Sequence, residues 1–156
     1  MRTTRSSMFI EIARVVSRRA TCQRLSVGAV LVKGRSIVSI GYNGAPAGSP
    51  HCSGNDCPGR FSCHETIHAE INALYHLPDG VTGPLDLYVT DSPCAQCYQD
   101  IMQDNRIKRI FFETPYRQTT HLDTIPEGWE APEIYRITPS GYVTNWRTKE
   151  LVEPAT

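Results

Sequence analysis

Residues 85–112 read LDLYVTDSPCAQCYQDIMQDNRIKRIFF, and this stretch decides the architecture. Residues 85–90 form a short apolar, β-prone run of the kind that fills a buried strand. Ala95, Tyr98, Ile101 and Met102 then recur at helical spacing, with Ser92 as a candidate N-cap and Pro93 in the first turn. Residues 107–112 give a second apolar run. A strand, a helix and a strand in this order imply a right-handed parallel crossover, and hence an α/β fold.

Working outward, residues 8–19 place Phe9, Ile12, Ala13 and Val16 on one helical face with arginines opposite. Residues 27–32 and 37–42 are β-prone runs separated by Lys33-Gly34-Arg35-Ser36, which suits a hairpin. From 43 to 62 the chain turns to Gly, Pro, Ser, Cys and His, a loop too long to be a bare connection, so something must order it. Ile67, Ala69, Ile71, Leu74 and Tyr75 recover a helical period that ends before Pro78-Asp79-Gly80. Beyond Phe112 the pattern weakens. Residues 117–132 are a poor helix former, while 133–138 and 141–146 could pair as terminal strands. No repeat or linker interrupts the 156 residues, which fit one domain spanning 1–156.

Sixteen basic and sixteen acidic side chains cancel. That balance argues against a protein held by a broad field to duplex DNA or an anionic membrane, although a locally recognised small anion remains compatible. Near the N-terminus, Glu11, Arg14, Arg18 and Arg19 interrupt the apolar residues, so neither a signal-peptide core nor a membrane span is expected. The expected location is the cytoplasm, the host's if the gene is a phage's. In a reducing compartment, six cysteines point to metal ligation before disulfides.

Cys94 and Cys97 are three apart at a helix start, so their sulfurs share a face near unpaired N–H groups that favour thiolate charge. His68 and Glu70 are two apart; in mid-helix they would diverge, but near a helix start they can converge beyond its end. The expected geometry is two helices aimed end-on at one ion. His68, Cys94 and Cys97 supply three ligands to a zinc whose fourth position is left for water, as a catalytic site requires. Zinc lowers the pKa of that water to roughly 7, and Glu70, not a ligand, is placed to move its proton and later to protonate departing ammonia. A lone Cys-x-x-Cys is also found in redox sites and zinc ribbons; its pairing with His-x-Glu and Pro93 gives the H-x-E…P-C-x-x-C pattern of zinc nucleobase deaminases.

The chain resembles the deoxycytidylate (dCMP) deaminase family, closest to phage and bacterial members. The likeness runs from about Phe9 to Tyr116. It rests on Cys22, Val27-Gly28-Ala29-Val30, Gly41-Tyr42-Asn43-Gly44 with Pro46 and Gly48, the cysteine-rich loop, His68-Ala69-Glu70 with Asn72-Ala73, and Pro93-Cys94 with Cys97. The resemblance implies a cytidine deaminase-like three-layer α/β/α fold with a mixed five-stranded sheet. It also implies zinc-dependent hydrolysis of dCMP to dUMP and ammonia, feeding thymidylate synthesis. It carries over Asn43 as a contact to the sugar and phosphate side, Val27, Gly28 and Ala69 as pocket lining, Ser92 as a substrate contact that could equally be a helix cap, and Tyr116 as an aromatic near the base. Tyr42-Asn43-Gly44 could instead be only a turn. Hexamers, activation by dCTP and inhibition by dTTP are further family expectations. Phosphate contacts are open, with backbone amides of 45–49 and the side chains of Arg24, Arg60 and Arg117 as candidates.

Cys22, Cys52, Cys57 and Cys63 remain once the catalytic pair is assigned, four soft ligands able to close a second, structural zinc site. Some family members replace such cysteines by histidines, which brings in His51 or His64; free thiols and disulfides are the alternatives. Three functional classes compete: a small-nucleotide deaminase acting on dCMP or a 5-substituted dCMP, a deaminase of single-stranded DNA or tRNA, and a non-enzymatic zinc scaffold. Balanced charge and few aromatics disfavour the second, and the scaffold has no use for Glu70.

Overall fold

The computed structural model describes residues 2–22, 24–51 and 66–152. Its elements are α1 (Arg5–Ser17), β1 (Gly28–Lys33), β2 (Ser36–Tyr42), α2 (Ala69–Tyr75), β3 (Leu85–Asp91), α3 (Ala95–Asp104), β4 (Ile107–Thr114), α4 (Thr120–Asp123), β5 (Glu133–Ile137), β6 (Val143–Asn145) and β7 (Leu151–Val152). Among the described residues no helix is long and apolar enough to cross a membrane.

Seven strands form one mixed sheet in the order β2-β1-β3-β4-β5-β6-β7. The β1–β2 hairpin is antiparallel and β1 pairs antiparallel with β3. The β3-α3-β4 unit is parallel, as its sequence implies, and β5 continues the parallel run beside β4. The expected α/β class stands, and the strand count changes from five to seven. The 133–138 and 141–146 segments do pair antiparallel, and residues 151–152 add one more strand at the edge.

Side chains of the central strands are buried on alternate faces, which is why these strands read as nearly continuous apolar runs. Ala29, Leu31, Leu87, Val89, Ile110 and Phe112 face the side covered by α2, α3 and the buried Leu122 of α4. Val30, Val32, Tyr88 and Phe111 face the other side, where Phe9, Ile10, Ala13 and Val16 of α1 pack. Helix α1 starts earlier than the periodicity suggests, because Thr4 caps it by accepting from the Ser7 N–H.

Two close approaches set where the helices lie. An ideal Cβ on Gly28 would fall 1.9 Å from the Ala13 carbonyl oxygen, so the missing side chain lets α1 sit directly on β1. A Cβ on Gly41 would fall 2.3 Å from the Ala69 carbonyl oxygen and 2.4 Å from the Ala73 nitrogen. Helix α2 therefore packs through Ala69 and Ala73, with Glu70 buried beside them. Of the other apolar residues in this helix, Ile71 is half-buried, Leu74 packs partly buried against the same core, and Tyr75 is 72% exposed. Ser39 and Asn72 tie the helix down further, Ser39 donating to the Ala73 carbonyl and Asn72 to the Tyr42 carbonyl.

Candidate active site

The site lies at the carboxyl end of β3, where ligand sites of open α/β sheets form. Ser92 continues β3 by donating its N–H to the Thr114 carbonyl. The chain then turns through Pro93 into α3. Ser92 is not the cap of that helix. Cys94 occupies the N-cap with extended backbone, and its Sγ accepts from the Cys97 N–H at 3.5 Å. The sulfur takes the place of a capping hydroxyl, which leaves Cys94 just before the helix and Cys97 in its first turn.

His68 holds the equivalent N-cap position of α2, without a capping hydrogen bond of its own. Its Nδ1 lies 3.5 Å from Cys94 Sγ and 3.2 Å from Cys97 Sγ. The three ligand atoms all lie within 4.8 Å of one another. Zn–N near 2.1 Å and Zn–S near 2.3 Å at tetrahedral angles require ligand separations of about 3.5 Å for N to S and about 3.8 Å for S to S. The donor set and its spacing fit zinc. Two helix N-termini converge on the point, as expected from the sequence, and both present their partial positive ends to sulfur charge.

The electrostatics are those of a site prepared for a cation. A hydrogen bond from the Cys97 thiol, aided by His68, holds the Cys94 thiol down at about 3 despite its partial burial. Sharing of that proton, together with burial, pushes Cys97 up. Thiolates are the metal-binding form of cysteine, so a metal ion taken up here would displace the proton that the pair holds. Glu70 is 4% exposed. Burial is the main reason its carboxyl is pushed up from 4.5 to about 7, with Cys94 and Asp91 adding to the rise and His68 opposing it. A carboxyl poised there can both take and give a proton near neutrality.

The remaining residues singled out from the sequence lie around this centre. Ala69 is fully buried next to His68, and Val27 is buried just before β1. The Gly28 N–H donates to Thr90 Oγ1. Asn43 is buried, with Oδ1 accepting from the Val27 N–H and Nδ2 donating to the Leu25 carbonyl, each at 2.7 Å. Its backbone does not enter the positive-φ region. The side chain clamps the loop leading into β1. Ser92 Oγ accepts from the Tyr116 N–H at 2.7 Å, and the half-buried Tyr116 ring faces the Arg117 guanidinium. Cys22 is a free, partly buried thiol. Cys52, Cys57, Cys63, His64 and Arg60 lie outside the described residues, and the proposed four-cysteine site with them.

Two residues without an assigned role in the sequence reading belong to this region. His121 places Nε2 2.7 Å from the Pro93 carbonyl oxygen, and Arg147 reaches the Tyr98 hydroxyl. Both contacts join positions far apart in the chain, so no local pattern signals them.

The family model for the cytidine and deoxycytidylate deaminase zinc-binding region matches residues 3–114. ComE operon protein 2 of Bacillus subtilis (strain 168) is 38% identical over 112 residues, 70% of this chain and 59% of that protein. The deoxycytidylate deaminase of Mycobacterium phage D29 is 36% identical over 119 residues, 67% of this chain and 90% of the phage protein. Among solved structures, the dCMP deaminase of cyanophage S-TIM5 in complex with dCMP and dUMP superposes with a TM-score of 0.70 at 28% identity, covering 83% of this chain and 93% of the phage chain. The His68, Cys94 and Cys97 cluster falls inside the matched region. The chain belongs to the cytidine and deoxycytidylate deaminase zinc-binding family.

Proposed function

We propose that this chain is a zinc-dependent hydrolytic deaminase that converts dCMP, or a 5-substituted dCMP, into the corresponding deoxyuridylate. The observation that carries the reading is the His68, Cys94 and Cys97 cluster beside the buried Glu70 carboxyl. The phage deoxycytidylate deaminases that the chain resembles along most of their length support the choice of nucleotide.

A zinc ion held by His68, Cys94 and Cys97 would supply Lewis acidity that lowers the pKa of water to about 7. Glu70 takes a proton from the attacking water and delivers it to the ring nitrogen beside the reacting carbon. A C–O bond forms at C4; Glu70 then takes the second proton of that water from the new hydroxyl and passes it to the exocyclic nitrogen, and as the bond between C4 and that nitrogen breaks, ammonia departs and C4 is left as a carbonyl. Asn43 contacts the sugar and phosphate side. Val27, Gly28 and Ala69 line the pocket; Ser92, joined to the Tyr116 N–H, contacts the substrate, and the Tyr116 ring packs near the base.

We extend the proposal, on the family resemblance, to a structural zinc on Cys22, Cys52, Cys57 and Cys63, a hexamer and control by dCTP and dTTP, and, on chain length and composition, to a single domain with a cytoplasmic location. A net charge of zero gives the chain no broad basic field for a polynucleotide.

The reading is tested by following ammonia release and product from dCMP, 5-methyl-dCMP, 5-hydroxymethyl-dCMP, deoxycytidine, dCTP and a cytosine-containing oligonucleotide. The expected result is dUMP or a 5-substituted dUMP from a monophosphate, with the oligonucleotide untouched. Deamination of the oligonucleotide without turnover of any monophosphate would overturn it.

A further inference from the structure

The family match ends at residue 114, yet the chain beyond it returns to the Cys94–Cys97 segment at several points. The Tyr116 N–H donates to Ser92 Oγ at 2.7 Å. His121, in α4, sets Nε2 2.7 Å from the Pro93 carbonyl oxygen; a carbonyl only accepts, so Nε2 carries the proton. The His121 ring also packs at 5.8 Å, tilted, against that of Tyr98. Arg147, in the turn between β6 and β7, donates from Nη2 to the Tyr98 hydroxyl at 2.9 Å. Its Nε donates to the Leu122 carbonyl at 3.0 Å and its Nη1 to the Pro132 carbonyl at 2.9 Å.

These bonds bear on the two sulfurs separately. The Pro93 carbonyl and the Cys94 nitrogen and Cα share one planar peptide unit, so holding the oxygen holds the plane in which the Cys94 Cα lies. Tyr98 follows Cys97 directly, and holding its ring and hydroxyl limits rotation of the first turn of α3. Arg147 ties the same turn to α4 and to the segment before β5 through a planar fork that a lysine cannot reproduce. Leu122, fully buried, anchors α4 so that His121 has a fixed base.

We propose that His121 and Arg147 are positioning residues for Cys94 and Cys97, through which the C-terminal hairpin holds the metal-binding geometry. The proposal rests on the zinc reading given above. Groups that support metal ligands from behind typically change metal affinity by about 10–100-fold when removed.

The test uses the full chain loaded with cobalt(II) in place of zinc, and separately the rate of zinc release to a chelator. Cys94→Ser identifies the part of each signal that belongs to this site. His121→Phe keeps a ring and loses the donor, whereas His121→Gln keeps an N–H at the place of Nε2. The expected result is that His121→Phe speeds zinc release roughly 10-fold or more and shifts the cobalt ligand-field bands, with the melting point of the metal-free protein unchanged, and that His121→Gln restores both values. Arg147→Lys is expected to change both in the same direction as His121→Phe, and parent-like values in it would overturn the role of Arg147. Release rates and cobalt bands in His121→Phe that match the parent, or a His121→Gln as impaired as His121→Phe, would overturn the role of His121. A cobalt spectrum that Cys94→Ser does not alter would overturn the zinc reading, and the positioning roles with it. A spectrum sensitive to Cys94→Ser and insensitive to both His121→Phe and Arg147→Lys would overturn the positioning roles alone.

Discussion

Glu70→Gln is expected to keep its zinc and lose turnover by about 10²–10⁴-fold, the range over which a positioned proton-transfer group contributes. The amide has nearly the shape of the carboxyl it replaces, so α2 has no steric reason to move, but it can neither accept nor release a proton. The loss is not a folding defect. Burial raises the folded pKa of Glu70 from 4.5 to about 7, so the folded state holds this proton more tightly than the unfolded chain does. Stability of the metal-free parent therefore falls as pH rises between those two values, by about 3 kcal/mol if this carboxyl acted alone. The amide removes that loss, and metal-free Glu70→Gln should melt no lower than the parent at pH 8. Steady-state kinetics, zinc content and a melting curve check all three points. Turnover within a few-fold of the parent with zinc still bound would remove Glu70 from the chemistry.

Gly41→Ala is expected to damage both the fold and the activity. The added carbon would meet the Ala69 carbonyl oxygen at 2.3 Å, the Ala73 nitrogen at 2.4 Å and the Ala73 Cα at 2.9 Å, all backbone atoms with no rotamer to change. Helix α2 must move away from β2. Overpacking of this kind costs about 1–3 kcal/mol, and rigid backbone on both sides puts the cost at the upper end. For a chain of this size that lowers the melting temperature by roughly 5–10 °C. The same shift moves His68 and Glu70, which sit at the N-cap and in the first turn of α2. A displacement near 1 Å from the reacting atoms can cost about 10²-fold in rate. Gly34→Ala is the control. It adds strain at φ +63° with nothing within 4 Å, and should cost some stability with turnover unchanged. A Gly41→Ala protein with parent-like melting and kinetics would show that α2 is not held by this contact.

The parts of the fold that were legible from sequence share a physical origin. Residues 85–112 form two strands buried on both faces and a helix buried on one, so composition and period agree, and β3, α3 and β4 fall nearly where they were expected. The pairing of His68 with Cys94 and Cys97 was legible because metal ligation restricts residue type and spacing. Helix α2 was found by its apolar period, but that period does not single out the alanines that hold it. Hydrophobic periodicity weights Leu74 and Tyr75, whereas this helix is held by alanines against a glycine, a contact whose strength comes from close approach. The start of α3 was misplaced by two residues because a cysteine thiol fills the capping role that Ser92 seemed suited to. The region after Thr114 was the least readable. Its four-residue helix and short edge strands are fixed by His121 and Arg147 bonding to residues 28 and 49 positions away, and such contacts leave no local signature.

Zinc-edge anomalous diffraction from crystals of the zinc-replete protein tests the central claim most directly. The expected result is a peak about 2.1 Å from His68 Nδ1 and about 2.3 Å from the sulfurs of Cys94 and Cys97, with the Glu70 carboxyl nearby and outside the ligand set. No peak among these three atoms, or a metal there whose fourth position is filled by Glu70, would contradict it.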